Sequence, residues 1–116
     1  MASQDMKDSW IEICKLDDLI INDGVNSLVD DQQIAIFRTN DDDKVYAIGN
    51  YDPIGKAYVL SRGIVGDLKG EPVVASPLYK QHFSLLTGQC LEDENVSVPS
   101  YPVQVIDGSV QIQTQK

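Results

Sequence analysis

A chain of 116 residues with 42% apolar and 23% charged side chains has the size and composition of one globular domain with a single core. Nine basic residues against eighteen acidic ones leave a net charge of −9, which excludes the clustered cations that a nucleic-acid backbone demands and disfavours anionic membrane surfaces. No apolar run is long enough to cross a bilayer, and the opening "MASQDMKDSW" lacks the basic and apolar blocks of a signal peptide, so the expected address is the cytoplasm.

The first element is "WIEICKL" (10–16), whose alternation and β-branched residues predict a strand. In "LDDLIINDGVNSL" (16–28), Leu16, Leu19, Ile20 and Leu28 could share a helical face. Gly24 and the Asp and Asn residues interrupt it, so one short helical turn is expected. "QQIAIFRT" (32–39) and "KVYAIGN" (44–50) predict two strands joined by "NDDD" as a polar hairpin turn. Two loops then flank a Gly-rich run and a short apolar segment, "PVVAS" (72–76), expected to be a central strand, and "HFSLLTGQ" (82–89) reads as the next one. Near the end, Asp107-Gly108 lies between two alternating runs in "YPVQVIDGSVQIQTQ", a strong hairpin signal. Turn clusters at short regular spacing indicate an all-β sandwich or barrel.

The chemistry-bearing residues are few. The chain has two cysteines, Cys14 and Cys90, and one histidine, His82. An iron–sulfur cluster takes four Cys or His ligands and a structural zinc site also takes four, so neither count is met. With no export signal, two free thiols are expected rather than a disulfide. The acidic groups Asp17-Asp18, Asp30-Asp31, Asp41 to Asp43 and Glu92 to Glu94 all fall at predicted turns, where Asp caps its own backbone, and none has the ligand spacing of an EF-hand loop. His82 is the one candidate general base near neutral pH, but no nucleophile motif accompanies it. Gly63, Gly66 and Gly70 form no phosphate-binding motif and read as loop geometry. No self-contained catalytic constellation is expected.

The stretch "NYDPIGKAYVLSRGIVGDLKGEPVVASPLYKQHF" (50–83) resembles the cluster-binding segment of Rieske proteins, in which a C-x-H pair and a C-x-x-H pair hold a [2Fe-2S] cluster. In that resemblance Asp52 and Ser76 stand where the cysteines would be, and Ile54 and Tyr79 stand where the histidines would be. The whole chain is similar to the small subunit of the NAD(P)H-dependent assimilatory-type nitrite reductase, a Rieske-like domain without the cluster ligands. "YAIGNYDPIGKAYVLSRGI" and "PVVASPLYKQHFSLLTGQCLED" carry that likeness most specifically.

The resemblance implies one Rieske-like antiparallel β-sandwich over residues 1–116, with a smaller cluster-binding-like insert at about 50–81 that lacks the cluster. It implies a non-catalytic subunit of a complex that reduces nitrite to ammonium. The large subunit would carry the FAD, the sirohaem and the iron–sulfur cluster, and this chain would carry no cofactor. Apolar and aromatic contact among Ile54, Tyr58, Leu78 and Tyr79 is expected to replace the metal between the loops. Residues 44–80 hold five basic and three acidic residues, while the rest of the chain holds four and fifteen. That mildly basic tip, with Tyr51, Lys56, Tyr58, Arg62 and Lys80, is the expected interface with the large subunit, because tyrosine is enriched at interface cores. An unrelated β-sandwich binding module and a Rieske-type electron carrier are the alternatives.

Overall fold

The computed structural model describes residues 10–40 and 44–114. Its strands are β1 (Ile11–Lys15), β2 (Asp23–Val29), β3 (Gln32–Arg38), β4 (Val45–Gly49), β5 (Tyr51–Asp52), β6 (Ala57–Tyr58), β7 (Ile64–Leu68), β8 (Glu71–Ala75), β9 (His82–Ser84), β10 (Ser100–Tyr101), β11 (Val103–Ile106) and β12 (Ser109–Ile112). Two short 3-10 turns, Leu16–Asp18 and Leu60–Arg62, are the helical content. The strands form three main antiparallel sheets, ordered β1-β12-β11, β10-β4-β3-β2 and β7-β8-β9, with β5 and β6 as a separate small hairpin. No described helix is long and apolar enough to cross a membrane.

The run "IAIF" explains how these sheets assemble. A strand with one wet face alternates, whereas four consecutive apolar residues require cover on both faces. Ile34 and Ile36, with Val45 and Ala47 of β4, pack with Leu19, Val29, Val110 and Ile112 on the side of the first sheet. Ala35 and Phe37, with Ile48, pack with Val74, Phe83, Leu85, Cys90 and Val98 on the side of the third. The four-stranded sheet is therefore the middle layer and β3 is its axis. Ile34 through Phe37 have no exposed surface, and burying each large side chain contributes roughly 1.5–3 kcal/mol.

Three tight hairpins set the registers. Asp30 and Asp31 between β2 and β3, Lys69 and Gly70 between β7 and β8, and Asp107 and Gly108 between β11 and β12 all have positive φ. Two consecutive positive-φ residues match the right-handed twist of the flanking strands. The Asp107-Gly108 hairpin thus forms where the sequence places it.

The structure departs from the sequence reading in several elements. Within 16–28, Leu16–Asp18 forms the expected short helical turn, but residues 23–29 are a full strand. Gly24 breaks nothing there: a Cβ at that position would lie 2.5 Å from the Phe37 ring and 2.5 Å from the Ser61 carbonyl oxygen. Glycine is what lets β2 cross so close to the core. The Gly-rich run also holds a strand, β7, with Gly66 inside it. In "HFSLLTGQ" only His82–Ser84 is strand, because the next residues turn back on the Ser84 hydroxyl. Asp41 to Asp43 of the β3–β4 connection lie outside the described residues. That connection is closed by the Thr39 N–H, which donates to the Lys44 carbonyl at 2.8 Å.

Candidate functional site

The two loops at 52–56 and 76–80 are built on one local plan. Asp52 Oδ1 accepts from the N–H groups of Ile54 at 2.8 Å and Gly55 at 3.0 Å. In the second loop Ser76 Oγ accepts from the Leu78 N–H at 3.3 Å. Each loop then closes with a bond from the fifth residue to the first: Lys56 N–H to the Asp52 carbonyl at 2.6 Å, and Lys80 N–H to the Ser76 carbonyl at 3.0 Å. Lys56 and Lys80 both adopt positive φ to do so. The sequence cause is the matched pattern D-P-I-G-K and S-P-L-Y-K, a short oxygen-bearing side chain before Pro that satisfies the turn's own donors.

The loops meet through their first residues. Asp52 and Ser76 are both fully buried, and the Ser76 hydroxyl donates to Asp52 Oδ2 at 2.5 Å across 24 residues of chain. The Asp52 carboxyl thus takes three donors, two from its own loop and one from the other. This polar contact, rather than an aromatic one, holds the loops together. Tyr79 is 63% exposed and Tyr58 is 56% exposed, so neither ring fills the space between them. Of the expected apolar contacts, Leu78 lies over Gly55, where a Cβ would come within 2.5 Å of its Cδ1, and Ile54 packs against the core cluster that includes Phe83 and Leu85. The physical reason is burial: two short polar side chains facing each other without water must pair, and that pairing leaves the larger residues outside.

Around this centre Tyr51 and Tyr58 sit opposite each other across the β5–β6 hairpin, with ring centroids 4.9 Å apart. Lys56, Arg62 and Lys80 are exposed. Asn50, buried at the end of β4, anchors the first loop: its side-chain oxygen accepts from the Ser61 N–H at 2.7 Å and its amide donates to Gln33 Oε1 at 3.1 Å. Nothing in its sequence context singles Asn50 out except its place between a strand and a turn.

The remaining candidates are engaged elsewhere. Cys14 and Cys90 are free thiols in different core clusters, and burial pushes both upward from the ordinary thiol range, which makes them poor nucleophiles. Among the described residues no three His, Cys, Asp or Glu side chains converge as a metal site. Asp18 caps the Lys15 N–H at 3.1 Å, and Asp93 accepts from the Asn95 N–H at 3.0 Å.

His82 is clamped by Glu92, which accepts from the His82 backbone N–H at 2.7 Å and contacts ring Nδ1 at 2.6 Å. Burial pushes the Glu92 carboxyl up, but the hydrogen bonds and charge of His82 outweigh it and hold the carboxyl below its ordinary value. A carboxyl lowered in the folded state stabilises the fold above the ordinary carboxylate range and loses that contribution as pH falls through the lowered folded value. Glu92→Gln is therefore expected to flatten the acid limb of the stability profile, read from urea midpoints between about pH 3 and 6. An unchanged acid limb would remove Glu92 from the acid response.

Comparison with known proteins adds a second line of observation. The family model described as the Rieske-like [2Fe-2S] domain matches residues 9–113. The nitrite reductase (NADH) small subunit of Escherichia coli (strain K12) is 50% identical over 103 residues, covering 89% of this chain and 95% of that protein. The NMR structure of the E. coli protein NirD superposes with a TM-score of 0.85 at 47% identity, over 93% of this chain and 98% of that one. The nitrite reductase [NAD(P)H] large subunit of Klebsiella oxytoca is 41% identical over 107 residues, spanning 92% of this chain but 11% of that protein.

Proposed function

Because the chain belongs to the Rieske-like [2Fe-2S] domain family and, within it, to the nitrite reductase small subunits, we propose that it is a non-catalytic subunit docked on a large subunit that reduces nitrite to ammonium with NAD(P)H. The FAD, sirohaem and iron–sulfur cluster of that reaction are assigned to the large subunit. A stretch similar to nearly the whole chain within the Klebsiella oxytoca large subunit supports work beside that polypeptide, and the cytoplasm is the compartment this reading assigns.

The observation that carries the non-catalytic assignment is the direct Ser76–Asp52 bond. A [2Fe-2S] cluster needs soft thiolate or imidazole donors projecting between two loops. Here a carboxyl and a hydroxyl close on each other instead, the two cysteines are free thiols elsewhere in the fold, and the histidine is paired with Glu92. The donor set does not fit the cluster. We assign Asp52, Ile54, Ser76 and Tyr79 as vestigial ligand positions, in an insert running over about residues 50–81 of a single domain.

A tagged copy isolated from its native cells should bring down a sirohaem-containing flavoprotein, and the chain purified alone should be colourless and iron-free. Capture of no such partner would overturn the subunit assignment, and stoichiometric iron with thiolate-to-iron absorption would overturn the vestigial one. The docking face assigned to the tip comprises Tyr51, Lys56, Tyr58, Arg62 and Lys80. Lys56→Glu combined with Arg62→Glu should weaken association with the large subunit about tenfold or more at low salt, less at high salt. Unchanged affinity in a calorimetric titration at low ionic strength would move the interface off the tip.

A further inference from the structure

Beside the tip lies a cavity of about 380 Å³ between the β5–β6 hairpin, the β2–β3 turn and the segment entering β10. Three tyrosines line it, Tyr51, Tyr58 and Tyr101, and Asp31 is its one charged lining residue. The tip cations Lys56, Arg62 and Lys80 do not line it.

Much of the polar lining is already satisfied within the chain. Gln33 Oε1 accepts from both Asn26 at 2.9 Å and Asn50 at 3.1 Å, and the Tyr101 hydroxyl donates to Gln32 Oε1 at 3.1 Å. The Asp31 carboxylate makes no hydrogen bond or ion pair with the described residues. The Asp31 backbone occupies a positive-φ position of the β2–β3 turn, beside the cavity. The rim is apolar and exposed: Leu28 is 70% exposed and Tyr58 is 56% exposed.

Aromatic faces beside one unpaired carboxylate make a site for a flat cation. The ring faces attract a cation within reach of their centroids, and a carboxylate accepts two parallel bonds from a guanidinium. Lysine offers a point charge and cannot stack, so the combination selects arginine. The complementary charge is local: Asp31 lies at the cavity, while the tip cations stand outside its lining.

We propose that this cavity receives an arginine side chain of the large subunit, its guanidinium stacked on the exposed Tyr58 ring, which Tyr51 supports at a tilt of 59°, and paired with Asp31. The inference rests on the small-subunit reading and deepens it by naming the chemistry of the contact. The test is calorimetric titration of the purified large subunit with the wild-type chain, Asp31→Asn and Tyr58→Leu. Asn tolerates the positive-φ turn and Tyr58 is exposed, so both variants keep the fold, checked by circular dichroism. Each should bind about tenfold more weakly. The Asp31→Asn loss should shrink with added salt and the Tyr58→Leu loss should not.

One surface Arg→Lys substitution in the large subunit should reproduce the loss and add nothing further in combination with Asp31→Asn, as a double-mutant cycle requires. Wild-type binding that neither variant weakens would overturn the cavity inference and leave the subunit reading standing. Wild type that does not bind the large subunit would bring down both. Sedimentation showing that Tyr58→Leu dissolves a dimer of the chain would identify a second copy as the occupant and overturn the arginine assignment.

Discussion

Asp52→Ala is expected to destabilise the domain by about 3–5 kcal/mol, the sum of leaving three donors without their acceptor. The Ile54 and Gly55 N–H groups and the Ser76 hydroxyl all point at this carboxyl, and Ser76 has no access to water in which to find a substitute. The damage should be local first. Amide exchange should accelerate in both loops, 52–56 and 76–80, because neither loop retains the contact that fixes it to the other. Asp52→Asn keeps an acceptor for the turn and a donor that the serine oxygen can accept, so it should cost far less, about 1 kcal/mol. Tyr79→Ala should stay within about 0.5 kcal/mol, since the ring is largely in solvent. Urea unfolding of the three variants decides between a polar staple and an aromatic one. A Tyr79→Ala loss equal to that of Asp52→Ala would reverse the assignment.

Gly88→Ala should be comparably damaging, at about 2–4 kcal/mol, for reasons of backbone rather than of side chain. Gly88 has φ +82, and a Cβ there would sit 2.0 Å from the Val98 carbonyl oxygen. The left-handed conformation alone costs a non-glycine residue on the order of 1 kcal/mol, and forcing an extra carbon into packed structure costs about 1–3 kcal/mol more. Relief by movement is blocked. The Gly88 N–H donates to the Ser84 carbonyl and the Val98 N–H donates to the Gly88 carbonyl, both at 2.8 Å. Leu85, Cys90 and Val98 on either side belong to the core cluster around Phe37. Gly70→Ala is the control, because Gly70 also has positive φ but nothing lies within 4 Å of its would-be Cβ, so only the conformational cost of about 1 kcal/mol should appear. Equal thermal or urea shifts for the two variants would show that the Val98 contact contributes nothing.

Gly88 closes a third copy of the plan seen in the two loops. In 84–88 the Ser84 hydroxyl accepts from the Leu86 and Thr87 N–H groups, the fifth residue bonds back to the first, and that fifth residue has positive φ. Glycine occupies the position here and lysine in the other two, where the turn is exposed and the modest cost is tolerated. The motif is legible as an oxygen-bearing side chain four residues before a Gly or Lys. Its recurrence passes unnoticed when S-L-L-T-G is read as the continuation of a strand, since buried Leu85 and exposed Leu86 keep a strand's alternation and only the bonds back to Ser84 reveal the turn.

Short-range chemistry determined much of this protein from its sequence. The alternating runs and the Asp107-Gly108 turn depend on neighbours within a few residues, and the count of two cysteines and one histidine on composition alone, so the all-β class and the shortage of soft ligands could be read directly. The D-P-I-G-K and S-P-L-Y-K patterns placed the two loops for the same reason. Tertiary structure alone decided what those loops do to each other. The Ser76–Asp52 bond spans 24 residues, and its existence depends on how β5, β7 and β8 bring the two turns together. Strand β2 likewise looks like a broken helix until Phe37 is seen beneath Gly24. The cavity that joins Asp31 to Tyr58 arises only because the middle sheet carries its β2–β3 turn to the side of the β5–β6 hairpin. Turn type and alternation are set by sterics inside one segment, whereas the partner of a buried polar group is set by which other segment removes it from water.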